Sequence, residues 1–159
     1  MLEIMTRDYG TVQIDESAVI RFEDGIIGFE DYRDYVLLDD GSGQSPFRCL
    51  QSIDESELAF ILIDPFSVKP DYELAIDDAL SERLSIASGE SAAVFAIVVV
   101  PEDVKKMSFN LKAPLIINAD LKIGAQYIVD RSDYGVRHLI FEELERSDGM
   151  RLCDSQKAV

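Results

Sequence analysis

At 159 residues the chain has the length of one domain, and a domain of that size buries roughly 68–70% of the surface its unfolded chain exposes, enough for a core of its own. An apolar fraction of 47% is ordinary for a globular protein, whereas 31 acidic against 15 basic side chains, a formal charge of -16, is not. Such a field repels phosphate backbones and anionic lipid, so direct nucleic-acid binding and surface attachment to a membrane are not expected, and it attracts a basic partner.

The imbalance is concentrated early: residues 1–100 carry 6 basic and 21 acidic side chains, residues 101–159 carry 9 and 10. The competing reading of this charge is that it only keeps the protein soluble. The start, Met1-Leu2-Glu3-Ile4-Met5-Thr6-Arg7-Asp8, lacks a basic region followed by an apolar stretch, so no signal peptide is expected. A cytoplasmic protein follows from this.

Short runs rich in Val, Ile, Phe and Tyr, separated by Gly, Pro, Asp and Ser, predict an all-β core that is mainly antiparallel. In chain order, Leu2 to Thr6 and Thr11 to Ile14 form a first hairpin, with Gly10 free to take the left-handed conformation of its turn. Ser17 to Phe22, Tyr35 to Leu38 and Phe47 to Gln51 follow as strands. Leu58 to Ile63 and Val94 to Val100 are almost wholly apolar and are expected as central strands covered on both faces. The longest apolar run, Ala92 to Val100, is half of what a helix needs to cross a bilayer.

One stretch reads as a short helix: Asp77 or Asp78 caps Ala79 to Leu84, with Leu80 and Leu84 one turn apart on a single face. Met107 to Asn110, Leu115 to Asn118, Ala125 to Val129 and Val136 to Phe141 supply the remaining strands. Asp133-Tyr134-Gly135 repeats Asp8-Tyr9-Gly10 and is expected as a second turn of the same kind. A single domain over residues 1–141 is expected, with residues 142–159 as a frayed or mobile tail.

Catalytic equipment is thin. The single histidine, His138, falls at an exposed or rim position of a strand. Cys49 and Cys153 have neither the number nor the spacing of a disulfide framework or a zinc site, and Cys49 reads as a small buried thiol. Asp39-Asp40-Gly41-Ser42-Gly43 lacks the alternating ligands and closing Glu of a calcium loop, and Gly41 and Gly43 are not followed by a phosphate-binding helix. Neither a cofactor nor a metal is expected.

Four segments in order carry a family resemblance: Phe22 to Phe29 (FEDGIIGF); Pro46 to Ser52 leading through Asp54 into Phe60 to Pro65; Asn110 to Asn118 (NLKAPLIIN); and Gly124 to Ile128 (GAQYI). Together they resemble the bacterial flagellar assembly factor FliW family. The resemblance implies a small β pseudobarrel without catalytic residues that binds the carbon-storage regulator CsrA and binds flagellin near its C-terminus. Export of flagellin would free it to capture CsrA and lift repression of flagellin mRNA. It would be a monomer when free, with up to two copies on a CsrA dimer.

Given those partners, the acidic residues Glu55, Glu57, Asp64, Asp71, Glu73, Asp77 and Asp78 are candidates for the CsrA-facing surface, against the alternative of a solvated face. Ile26, Ile27 and Phe29 are candidates for an apolar groove that takes the amphipathic end of flagellin, against the alternative of core positions. Two rival functions stay open at this point. One is an acidic RNA mimic that occupies the RNA site of CsrA directly, and the other is an unidentified enzyme.

Overall fold

Alternation decides the first hairpin. Leu2–Met5 (β1) and Thr11–Ile14 (β2) pair antiparallel with Leu2 opposite Ile14 and Ile4 opposite Val12, so the apolar side chains share one face. The Thr6 amide and hydroxyl both donate to the Gly10 carbonyl (2.8 and 2.6 Å), and Gly10 takes φ +67°. The computed structural model describes residues 1–39, 41, 45–86 and 92–146; most of the Asp39 to Gly43 turn and the chain from Ser147 onward lie outside them.

Nine further strands follow: Ile20–Phe22 (β3), Asp34–Leu38 (β4), Phe47–Ser52 (β5), Ala59–Ile63 (β6), Ala92–Val99 (β7), Ser108–Phe109 (β8), Leu115–Asn118 (β9), Ile123–Gln126 (β10) and His138–Leu139 (β11). They hydrogen-bond in the order β11-β8-β7-β6-β5-β4-β3-β10-β9, and β9 returns to pair with β7, which closes a barrel of seven strands. Every contact is antiparallel except β3 with β10. The length of β7 permits the closure: Ala92 to Phe95 pair with β9, while Val98 lies between Ile61 of β6 and Phe109 of β8.

Inward positions fill the barrel. Phe22, Tyr35, Leu50, Leu62 and Leu115 are fully buried, and the rings of Phe22 and Tyr35 meet edge to face at 5.5 Å. Gly124 on β10 is the small residue that makes room, because a Cβ there would lie 2.7 Å from Cζ of Phe22. Burial pushes the Tyr35 hydroxyl up to about 12.

The outer faces are covered too. Val36 and Leu38 of β4 lie under the β1–β2 hairpin with Ile4 and Ile14. Ala96 and Val98 of β7 lie with Ile63, Tyr72, Phe109 and Tyr134, so the two apolar runs are covered on both faces as expected, until β7 emerges at Val99. Asp78–Arg83 (α2) starts at Asp77, whose carboxylate accepts from the Leu80 amide at 2.8 Å, and it buries Leu80 and Leu84 against Ile116 and Ala125.

Several local expectations are corrected. Ser17 does not open a strand, because Asp15 accepts from the Ser17 amide and caps a 3-10 turn over Glu16–Ala18. After β6 no helix was expected, but Asp64 accepts from the Phe66 amide and Pro65 begins a one-turn helix, Pro65–Val68 (α1). The strand expected over Ala125 to Val129 begins at Ile123 and ends at Gln126. Val136 to Phe141 yields only β11, after which residues 140–146 turn helical (α3).

The folded body consequently runs past Phe141, since α3 packs through Ile140, Glu143 and Leu144. The nearly buried Lys69 ammonium holds it, 3.5 Å from Glu143 and 3.2 Å from Asp71. The two Asp-Tyr-Gly turns also differ. Tyr9 is exposed, whereas Tyr134 is buried, with its hydroxyl accepting from the Glu73 amide at 2.8 Å and its ring 4.7 Å from that of Tyr72.

Candidate protein-docking surface

The loop between β3 and β4 splits its apolar residues between core and surface. Gly25 at φ +70° brings the chain so close to itself that a Cβ there would lie 2.6 Å from Cα of Glu30, and Gly28 follows at φ +91°. The Ile27 amide donates to Oε1 of Gln126 (2.8 Å), whose Nε2 donates to the Ala113 carbonyl (3.1 Å). The loop is therefore tied to β10. Ile26 is 1% exposed in the barrel core and cannot line a groove, which corrects its candidacy as a flagellin contact.

Ile27 and Phe29 do reach solvent, at 60% and 41% exposure, but in different directions. Ile27 lines a cleft of about 360 Å³ between this loop and α2, with Asp24, Glu30 and Asp77 at its rim and Leu80 and Tyr127 among its apolar lining. Arg83 of α2 spans it to Asp24 at 2.8 Å. Phe29 instead lays its ring against Phe60 of β6, centroids 5.3 Å apart.

The acidic candidates occupy three places. Glu55 and Glu57 sit in the β5–β6 turn, where Oε1 of Glu55 accepts from the Glu57 amide. Asp64 caps α1 at the opposite end of β6, and in the segment beyond it Asp71 pairs with Lys69 and Glu73 with Arg131 at 2.6 Å. Asp77 and Asp78 open α2 beside the cleft, with Asp77 already serving as its cap. Five of the seven, Glu55, Asp64, Asp71, Glu73 and Asp77, thus already hold a partner within the chain, and five strand residues separate the first group from the second, about 17 Å.

His138 lies at the rim, in a cleft of about 620 Å³ with Asp133, Glu142, Glu143 and Lys69. Its Nε2 accepts from the Gly135 amide at 2.8 Å, and burial holds it below the usual imidazole range, so this nitrogen is occupied and the ring neutral near pH 7. No Ser, Thr or Cys lines that cleft. Cys49 is buried and burial pushes its thiol up, away from thiolate chemistry. Among the described residues, no three His, Cys, Asp or Glu side chains converge to hold a metal, and every buried side-chain nitrogen and oxygen has a partner.

Comparison with known proteins decides the family: the model described as "FliW protein" matches residues 3–140. The chain belongs to the FliW family. Flagellar assembly factor FliW of Caldicellulosiruptor saccharolyticus is 43% identical over 141 residues, covering 89% of this chain and 91% of the relative. That of Ruminiclostridium cellulolyticum is 41% identical, covering 91% and 98%, and that of Treponema denticola is 41% identical, covering 90% and 96%. A crystal structure of the flagellar assembly factor FliW superposes with a TM-score of 0.82 at 35% identity, over 87% of this chain and 96% of that one.

The segments that carry the FliW resemblance are largely packing devices in this chain. Gln51 is fully buried, its amide donating to the carbonyls of Ser56 and Leu58 and its oxygen accepting from the Arg7 amide. Oδ1 of Asn110 accepts from the Lys112 and Ala113 amides, and Asn118 donates to the Leu84 carbonyl, which fastens α2 to β9. Sequence reasoning placed Val99 within a strand covered on both faces, whereas it is exposed.

Proposed function

We propose that this chain is a non-catalytic, protein-binding regulator of flagellar assembly that captures the translational repressor CsrA and binds flagellin, acting in the cytoplasm. Membership of the FliW family over residues 3–140 carries this reading. The charge of -16 supports it, because an RNA-binding repressor exposes Lys and Arg and is steered toward an anionic partner. Among the described residues no helix is long and apolar enough to cross a membrane.

Capture of CsrA by free protein after flagellin export would lift repression of flagellin mRNA. The protein would be a monomer when unbound, with up to two copies on a CsrA dimer. Closing of the RNA site from a neighbouring surface is favoured over direct mimicry of RNA. A mimic needs a continuous track of negative charge, and the carboxylates Glu55, Asp64 and Asp77 belong to separate places, two of them committed as helix caps.

Isothermal titration of the purified chain with CsrA and, separately, with flagellin tests the reading. Saturable binding to each is expected, with CsrA binding weakening as salt is raised. Absence of heat with both partners at low salt would end it.

A further inference from the structure

The only histidine of the chain ties the last strand to a turn three residues upstream. Nε2 of His138 accepts from the Gly135 amide at 2.8 Å, a bond that requires this nitrogen to be bare and the ring proton to sit on Nδ1. Gly135 is held from its other side as well, because its carbonyl accepts from the amides of Leu111 and Lys112 at 3.1 and 3.0 Å. Beside it, the buried Tyr134 hydroxyl accepts from the Glu73 amide, and its ring lies 4.7 Å from that of Tyr72. The turn thus fastens separated segments to one another, and of these bonds the one to β11 is the one that a single proton can break.

β11 has little else to hold it. It is two residues long, and among the described residues it pairs only with Ser108 and Phe109 of β8. Just beyond it, the Ile140 amide donates to the Met107 carbonyl at 3.0 Å. Among the described residues β11 is also the only strand that covers the outer edge of β8.

Charged groups face the His138 ring from the elements around it. Asp133 lies in the turn, Glu143 and Arg146 on α3 and Lys69 at the end of α1, while Arg137 and Glu142 line the same cleft of about 620 Å³. β8 presents only the uncharged ring of Phe109, edge to face at 6.3 Å. Three cations and three carboxylates leave little net field, so burial dominates and holds the ring below the ordinary imidazole range. The carboxylates are unequally committed. Asp133 accepts two bonds of 2.9 and 2.6 Å from Arg131, whereas both ion pairs of Glu143, to Lys69 and Arg146, are 3.5 Å long.

We infer that His138 is an acid-released latch: a proton taken from solvent by Nε2 ends the bond from Gly135, the ring turns to Glu143, and the turn over residues 133–135 separates from β11. Protonation makes the acceptor a donor, and two N–H groups cannot share a 2.8 Å contact, so the bond is lost outright. Glu143 is drawn at the same time from Lys69, the ion pair that ties α3 to the barrel. β11 and α3 then loosen together and bare the edge of β8, a row of unpaired backbone groups. Because the folded ring binds its proton less tightly than an unfolded one, the latch contributes fully above about pH 6.5 and is lost as the pH falls through the lower folded value. The fold thus carries a response to acidification that needs no partner.

The test is amide hydrogen exchange of the full chain, read residue by residue by NMR and corrected for the intrinsic pH dependence of exchange, alongside the ring nitrogen shifts of His138. At neutral pH Nε2 should be the bare nitrogen. Between about pH 7 and about pH 5, protection of the Gly135 and Ile140 amides should fall about tenfold or more, with a midpoint that follows the ring titration. The Phe22 amide, bonded to the Arg33 carbonyl on the far side of the barrel, should keep its protection. His138→Gln places an oxygen that does not titrate where Nε2 stood, and its protection should stay level over the same interval.

Protection that ignores the ring titration, or a bare Nδ1 at neutral pH, would overturn the latch. An equal fall in His138→Gln would overturn it too, since carboxylates would then be responsible. If that variant fails to fold, agreement or disagreement of the two midpoints in the original chain decides alone. A parallel fall at Phe22 would mean that acid unfolds the whole barrel, and the inference would fall with it.

Discussion

Replacing Phe22 by alanine is expected to lower stability by about 3–5 kcal/mol, the largest single effect predicted for this fold. Phe22 is fully buried at the centre of the barrel, where its ring meets Tyr35 at 5.5 Å and fills the space that Gly124 leaves. Gly124→Ala addresses the same contact from the other side. Its added methyl would stand 2.7 Å from Cζ of Phe22 and 3.2 Å from Cγ1 of Ile117, and overpacking of this kind costs about 1–3 kcal/mol.

Because both substitutions act on one space, they should not add: Gly124→Ala should cost much less in a Phe22→Leu background than alone. Urea unfolding of the four proteins in that cycle reads the coupling directly. Strict additivity would mean that the barrel interior is not packed as described.

The second large effect is kinetic and depends on the proposed function. Reversing Glu55, Glu57 and Asp78 to lysine changes the net charge by six, and should slow association with CsrA severalfold at low salt while leaving dissociation nearly unchanged. Asp64, also a candidate, is left out of this set because it caps α1, and its loss would mix about 1 kcal/mol of helix stability into the result. Steering depends on the summed field, so the separation of these carboxylates does not blunt the expectation. At high salt the difference should vanish, since exposed charges are screened beyond about 8 Å even at physiological ionic strength. An on-rate that ignores all three reversals in dilute buffer would remove electrostatic steering from the account.

Much of the barrel was legible in the sequence because one physical rule, alternation, governs both strand formation and burial. Phe60 and Leu62 turn inward while Ile61 and Ile63 turn outward, and the apolar run at β7 is apolar because both of its faces are covered. The short helix was legible through its cap at Asp77 and the Leu80–Leu84 spacing. Local competition explains the misses. Asp15 and Asp64 turned strand-like neighbours into helical turns by accepting backbone N–H groups, a choice that apolar patterning does not register.

The surface was far less legible, for a different reason. Ile26, Ile27 and Phe29 are three apolar residues within four positions, and only the left-handed Gly25 and Gly28 determine that the first is core while the other two face separate sites. The acidic set looked continuous along the chain from Glu55 to Asp78, yet β6 carries its members to opposite ends of the barrel.

The most direct measurement of the central claim follows labelled flagellin mRNA leader leaving preformed CsrA complexes, with excess unlabelled RNA present, as this protein is added. A regulator that closes the RNA site from a neighbouring surface should speed release in a saturable way, with the effect reduced at high salt. Release that stays at its unassisted rate at saturating protein would contradict that mechanism, and CsrA that keeps its full RNA occupancy without competitor would contradict the function itself.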